Sequence, residues 1–393
     1  MAAEVFELNA WKHQLQQGDR GPKKNLTNLM LHIRNLDGLG KAIRFNESAH
    51  QVEWQGRPIR DTDLIDIRLL IERAGFQPTD KDVRPCVDRL AVENAYNPIT
   101  DYLDALVWDG TPRLDRWMAR FLGATDTPYV RKVGAKTLIA AIARARVPGC
   151  KVDTVLVLEG PQGLKKSTAI AALFGEDYTA ESVSLFDQHN KMVMQMMGAW
   201  VVELAEFVAI ARKDQSSVKG LLSMRSDRVV LPYAKMASTH PRRCIFFATV
   251  NPEEGGYLTD STGNRRYWPV AVTRIDLDGI ASQRDQIWAE AQARYRGGEH
   301  WWLDAADEAD AQIQVAEREE DDVWEPVLAE KLVGMTEVTP ARVLSLLGVT
   351  FDRMEKKHEM RVAKVMKKLG FVSKTPKDEN RKTYRVWRRN TDG

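Results

Sequence analysis

The chain has 393 residues, 44% hydrophobic and 28% charged, with a formal net charge of +2 at pH 7. That balance belongs to an ordinary globular protein with room for two or three cores, and it excludes intrinsic disorder. No apolar run reaches the length of a membrane span, the N-terminal MAAEVFELNAWKHQLQ lacks the order of a secretory signal, and Cys86, Cys150 and Cys244 stand far apart. We therefore expect free thiols, no membrane contact and a cytoplasmic location.

Taken in chain order, residues 1–145 read as a mostly helical domain. A helix starts near Trp11–Leu15, QVEWQGRPI is a polar strand-like stretch, and Leu64, Ile67, Leu70 and Ile71 recur at helical spacing before Gly75. Val83, Val87 and Leu90, then Tyr102, Leu103 and Leu106, continue the pattern. Asp109-Gly110 makes a turn, a helix restarts near Leu114, and VGAKTLIAAIARARV stops at Pro148-Gly149. The pattern then changes. Val155–Leu158, AWVVEL and RCIFFATVN are short strands, apolar on both faces, set between helical segments. They predict an α/β core over 146–300 with a parallel sheet covered by helices. Residues 301–325 are expected to form an acidic linker or solvated helix. Residues 326–393 read helix, helix, helix and then the strand TYRVWRR, the order of a small winged-helix-like domain.

Charge follows the same division. Residues 301–330 hold eleven acidic side chains against Arg318 alone, whereas 351–393 hold fourteen Lys and Arg against six acids. The basic end is the place to look for a polyanionic partner.

The first core strand runs into VLEGPQGLKKST. A phosphate-binding loop reads G-x-x-x-x-G-K-[ST], and Gly160, Lys166 and Ser167 stand in its positions, with Gly163 inside the turn. Backbone N–H groups of such a turn wrap phosphates, and the helix N-terminus adds positive potential. Lys166 would contact the β- and γ-phosphates of ATP and the Ser167 hydroxyl would hold magnesium, with Thr168 following on the helix. Lys165 replaces the second glycine. It can point its stem outward, where its charge suits a phosphate, or crowd the nucleotide. We expect nucleotide binding to survive and hydrolysis to be the step that Lys165 bears on.

Two further strands carry polar groups at their ends. GAWVVELAEF places Glu203 at a strand terminus and Glu206 three residues on. One would organise the magnesium shell and the other polarise the attacking water, Glu203 being favoured for the metal and Glu206 for the water, with the reverse assignment as the alternative. RRCIFFATVN ends at Asn251, which can orient a water, sense the terminal phosphate, or simply start a turn before Pro252. In DSTGNRRYWPV, Arg265 and Arg266 precede an apolar strand and suit donation across a subunit boundary to a developing phosphate charge.

Together VLEGPQGLKKST, WVVELAEF, RSDRVVLPYAK, RRCIFFATVN and TGNRRYWPV resemble the virulence-associated protein E family of phage and plasmid proteins, itself similar to superfamily-three helicases of the AAA+ ATPase class. The resemblance covers residues 85–275 well and the flanks more loosely. It implies a P-loop AAA+ ATPase core and a homo-oligomeric ring, hexameric in form, with ATP held between subunits. Lys166 and Ser167 would be the Walker A residues, Glu203 and Glu206 the Walker B acids, Asn251 the first sensor, and Arg265 or Arg266 the arginine finger. It also implies a hairpin between the second and third motifs, within SDRVVLPYAKMASTHPRR. There Arg228 lies on one arm and Lys235 near the tip, to meet single-stranded or forked DNA. The family normally has glycine at position 165.

At the basic end, Lys364, Lys367 and Lys368 share a helix with Val362, Val365 and Leu369 on its other face. They favour DNA contact, a domain that only packs on the ring being the competing reading. The function expected is an ATP-dependent, ring-forming DNA helicase or replication initiator of a phage, plasmid or other mobile element. The alternative is an ATP-binding, poorly hydrolysing DNA-binding ring that recruits or loads replication proteins.

Overall fold

The computed structural model describes residues 10–19, 21–181, 183, 189–204, 207, 215–230, 236–251, 264–316, 318, 323–349, 356–376 and 383–390. The N-terminal part packs three helices, α1 (Leu26–Asn35), α2 (Asp61–Arg73) and α3 (Asp80–Glu93), with an antiparallel meander of β1 (Ile43–Asn46), β2 (Gln51–Trp54) and β3 (Arg57–Pro58). The stretch QVEWQGRPI is thus a hairpin. Gln55 (φ 56°) and Gly56 (φ 77°) are both left-handed, as a two-residue hairpin turn with the right-handed twist of its strands demands. Ile67 and Ile71 of α2 point into a core shared with Ile33, Ile43, Trp54 and Val87.

Next come α4 (Pro98–Ala105), α5 (Trp117–Leu122) and the long α6 (Pro128–Arg146). No break in packing falls at residue 145. Leu138, Ile139 and Ile142 of α6 belong to the same buried cluster as Leu156, Phe247 and Trp288.

The sheet consists of β4 (Val155–Glu159), β5 (Thr179–Ala180), β6 (Val201–Leu204), β9 (Ile245–Val250) and β10 (Tyr267–Ala271). Its spatial order is β10–β4–β9–β6–β5 and every neighbouring pair is parallel. The antiparallel pair β7 (Ser226–Val229) and β8 (Ser238–Pro241) lies outside the sheet, between β6 and β9 in sequence. Numbered among themselves along the chain, the five parallel strands stand 5-1-4-3-2.

Strand period two divides the sheet's side chains between two cores. Leu156, Leu158, Val201 and Phe247 meet α6, α7 (Lys166–Phe174) and α10 (Leu277–Arg296). Val155, Val157, Val202 and Phe246 meet α8 (His189–Met196) and α9 (Gln215–Ser223). Burial on both faces is why these strands read as continuous apolar runs.

The acidic segment, expected as a linker or solvated helix, contains the helix α11 (Ala305–Ala316), docked on the outer strand β10. Ala311 and Val315, one helical turn apart, are buried there while the carboxylates stay outside, so two inward residues suffice to seat the helix. The last part has its own core and the order α12 (Trp324–Lys331), β11 (Glu337–Val338), α13 (Pro340–Leu346), α14 (Lys356–Lys368), β12 (Phe371–Lys374), β13 (Val386–Arg389). Its three strands form an antiparallel sheet in the order β11–β13–β12. Cys86, Cys150 and Cys244 are free and buried, and no helix of the described residues is long and apolar enough to cross a membrane.

Candidate functional site

Three strand ends converge at one edge of the sheet. β4 ends at Glu159, and the turn from Gly160 to Lys165 leads into α7, whose first residue is Lys166. Gly160 is required sterically, because a Cβ there would stand 2.7 Å from the Val272 carbonyl oxygen and 2.9 Å from a Leu164 methyl. Lys165 adopts φ 68°, ψ 34°, the left-handed region, and its side chain is exposed. The backbone therefore follows the path glycine takes freely, and lysine adopts it at a cost of about 1–2 kcal/mol. Lys165→Gly is expected to raise stability by roughly 1 kcal/mol, less whatever glycine adds to the entropy of the unfolded chain. A denaturant titration reads this, and a destabilised variant would mean that the lysine stem holds contacts worth more than the backbone conformation costs.

Lys166 turns back into the loop. Its ammonium donates to Gly160 O (2.6 Å), Pro161 O (3.0 Å) and Asn251 Oδ1 (3.2 Å), and the residue is buried. Asn251 follows the last residue of β9, so the strand beside β4 delivers its amide to the same point. Ser167 Oγ donates to Glu203 Oε1 at 2.8 Å, and Thr249 Oγ1 of β9 donates to the same oxygen at 2.8 Å. Glu203 on β6 is 2% exposed, and among the described residues no cation pairs with it. A buried carboxylate held only by hydroxyls fits a site completed by a bound cation. Among the described residues no three His, Cys, Asp or Glu side chains form a metal-binding group, so a magnesium here would depend on Glu203, Ser167 and the nucleotide's own oxygens.

The loop, Lys166, Ser167, Glu203 and Asn251 are thus brought together. Gly163 (φ 78°) shapes the turn, and Thr168 is exposed on α7. Glu206 lies outside the described residues. Arg265 and Arg266 are not brought to the loop: they precede β10, at the opposite edge of the sheet, a strand length of about 16 Å away. Arg265 is exposed, while Arg266 reaches Asp153 (3.6 Å) and Ser223 Oγ (3.2 Å). Both line a cavity of ≈ 390 Å³ with Lys151, Trp268 and Trp302.

The hairpin interval contains the β7–β8 pair, with Arg228 exposed opposite Thr239 and Lys235 outside the described residues. Its base is fixed by Arg242, which donates to both oxygens of Asp227 (2.6 and 2.7 Å) with both side chains buried. In α14, Lys367 is exposed and Lys368 pairs with Glu325 of α12 at 2.7 Å, while the Lys364 side chain lies outside the described residues. Sequence reasoning missed two partners. Thr249 was visible only as the one hydroxyl in the apolar run IFFATV, and the Arg318–Glu159 ion pair (2.8 Å) joins positions 159 residues apart with no periodic signal.

Comparison with known proteins adds two findings. An apo structure of the C-terminal region of NrS-1 superposes with a TM-score of 0.50 at 12% identity, covering 88% of this chain and 96% of that one. An A-form apo structure of the same region gives 0.48 at 10% identity with the same coverage. At such identities the likeness concerns the fold alone. No curated protein matches the sequence. The family model for the virulence-associated protein E-like domain matches residues 103–321, which spans the loop, all five parallel strands and α11. With more than half its length so matched, the chain belongs to the virulence-associated protein E-like domain family.

Proposed function

We propose that the chain is a P-loop ATPase of AAA+ type that acts on DNA in the replication of a mobile element, working as a homo-oligomeric ring. The observation that carries this is the Ser167–Glu203–Thr249 cluster beside the Lys166–Asn251 contact, at the edge of a parallel sheet ordered 5-1-4-3-2. Each of these groups has a task on a triphosphate. The amides of the turn and the start of α7 receive phosphate oxygens, and Lys166 leaves its carbonyl partners for the β- and γ-phosphates. Asn251 orients the terminal phosphate or the water beside it. Ser167 and Glu203 are the residues that would hold a magnesium ion, which would supply neutralisation of phosphate charge. Glu206 is assigned the polarisation of the attacking water.

The far-edge position of Arg265 and Arg266 supports a ring, because a strand's length separates them from their own loop, and the exposed Arg265 is available to a neighbour's. DNA would be met by the β7–β8 hairpin and by the C-terminal part. The helix and strand order of that part, with strands β11–β13–β12, supports reading it as a winged-helix-like domain. The Lys368–Glu325 pair leaves Lys367 as the better placed of the two for phosphate contact.

The test is Glu203→Gln, which keeps an oxygen to accept from Ser167 and Thr249 but removes the charge. Nucleotide binding should persist while DNA-stimulated ATP hydrolysis falls at least about a hundredfold, the scale seen when one charged transition-state group is lost. Undiminished turnover would remove Glu203 from the site. Wild-type binding without any turnover would favour instead a ring that uses ATP as a structural ligand.

A further inference from the structure

A second cavity, of ≈ 300 Å³, opens along the free edge of β10, between the start of α6 and the helix α11. Its walls include Thr125, Tyr129, Ala271, Gln314 and Arg318. Two observations tie it to the loop, and a third marks it as a place for a ligand. Arg318 donates to both oxygens of Glu159 (2.8 and 2.9 Å), the residue directly before Gly160. Gly160 itself packs on Val272, the residue that follows the cavity-lining Ala271. Tyr129 is 8% exposed, and its hydroxyl, shielded from solvent, makes no hydrogen bond among the described residues. An unpaired buried hydroxyl costs about 1–3 kcal/mol, a cost that a bound partner would remove.

The backbone adds a recognition edge. Val272 N donates to Glu159 O (2.7 Å), and Ala271 is the residue in register with Glu159. In a parallel ladder this turns the Ala271 N–H and C=O away from β4, toward the open side. One donor and one acceptor side by side match the hydrogen-bonding edge of a nucleobase. Burial pushes the Tyr129 phenol well above its usual range, so it stays a protonated donor across working pH.

We propose that this cavity holds the nucleoside part of the triphosphate whose phosphates lie on the 160–167 turn, with the Ala271 backbone reading the base edge and Tyr129 and Arg318 as specificity-determining residues. The inference rests on the loop reading given above, and it extends the site across β4 to β10 and α11. It also gives α11 a task, since the helix that closes the cavity carries Arg318 just beyond its end.

Calorimetric titration of the full chain with two probes, a non-hydrolysable ATP analogue and inorganic tripolyphosphate, separates the claims. Ala271→Trp, at an exposed position, should fill the cavity and weaken the ATP analogue at least about tenfold while leaving tripolyphosphate unchanged. Tyr129→Phe, which removes one oxygen, should weaken the analogue about fivefold with the same tripolyphosphate affinity. If both variants keep the wild-type ratio of the two affinities, the cavity does not hold the nucleoside and the inference is overturned. Lys166→Ala is the independent arm. It should weaken both probes together, and a variant that binds both like wild type would strike the loop reading itself.

Discussion

Arg242→Ala is expected to lower the stability of the core by about 3–5 kcal/mol, because it leaves Asp227 buried without its guanidinium. The two side chains are almost wholly inside, and the only other basic side chain within 4 Å of Asp227 among the described residues is that of His189, at 3.7 Å. Arg242 also donates to the Leu221 carbonyl at the end of α9, so its loss frees an acceptor as well as an anion. A double variant, Asp227→Leu with Arg242→Met, should recover part of the loss by removing both charges, though not the part due to Leu221 O. Urea unfolding of the three proteins measures this. Equal midpoints for wild type and Arg242→Ala would mean that solvent reaches the pair and that it does not fix the hairpin base. Because Asp227 lies on β7 and Arg242 directly follows β8, the single variant should also lose DNA-dependent behaviour before it loses nucleotide binding.

Lys166→Ala is expected to weaken magnesium–ATP binding by about two orders of magnitude, the upper range for one charged hydrogen-bonding group, near 3 kcal/mol. The folded chain should change little, since the ammonium's bonds to the Gly160 and Pro161 carbonyls and to Asn251 are ones that water can serve once the side chain is gone. Lys166→Arg should not restore affinity, because a planar fork cannot occupy the place of a compact ammonium inside the turn. Fluorescence anisotropy of a labelled ATP analogue reads all three. Wild-type affinity in Lys166→Ala would show that the phosphates bind elsewhere.

What the sequence disclosed, and what it withheld, follows from how local each signal was. The parallel sheet was legible because strands buried on both faces must be apolar throughout, as Val155–Leu158 and Ile245–Ala248 are. The junction of Ser167 with Glu203 was readable as an arrangement, since a turn after one strand and an acid at the end of another meet whenever the strands share a sheet edge. Lys165 looked like an obstacle because residue identity was the only guide. Its backbone angles place the departure in the side chain, which points to solvent. In the acidic stretch a solvated helix was one of two readings, but its docking was not legible, because eleven carboxylates hid the two inward residues, Ala311 and Val315, that seat α11. Arg318 was noticed only as the lone base in that stretch, and its partner Glu159 comes into reach only through the fold. The position of Arg265 and Arg266 at the edge away from the loop is likewise a property of topology, not of spacing.

A structure of the chain with magnesium and a non-hydrolysable ATP analogue tests the central claim most directly. The account requires the β-phosphate against the amides of 163–167, Lys166 moved from the Gly160 carbonyl onto phosphate oxygen, and the metal beside Ser167 and Glu203. An analogue found away from the 160–167 turn, or Glu203 still bonded only to Ser167 and Thr249 with the nucleotide present, would contradict it.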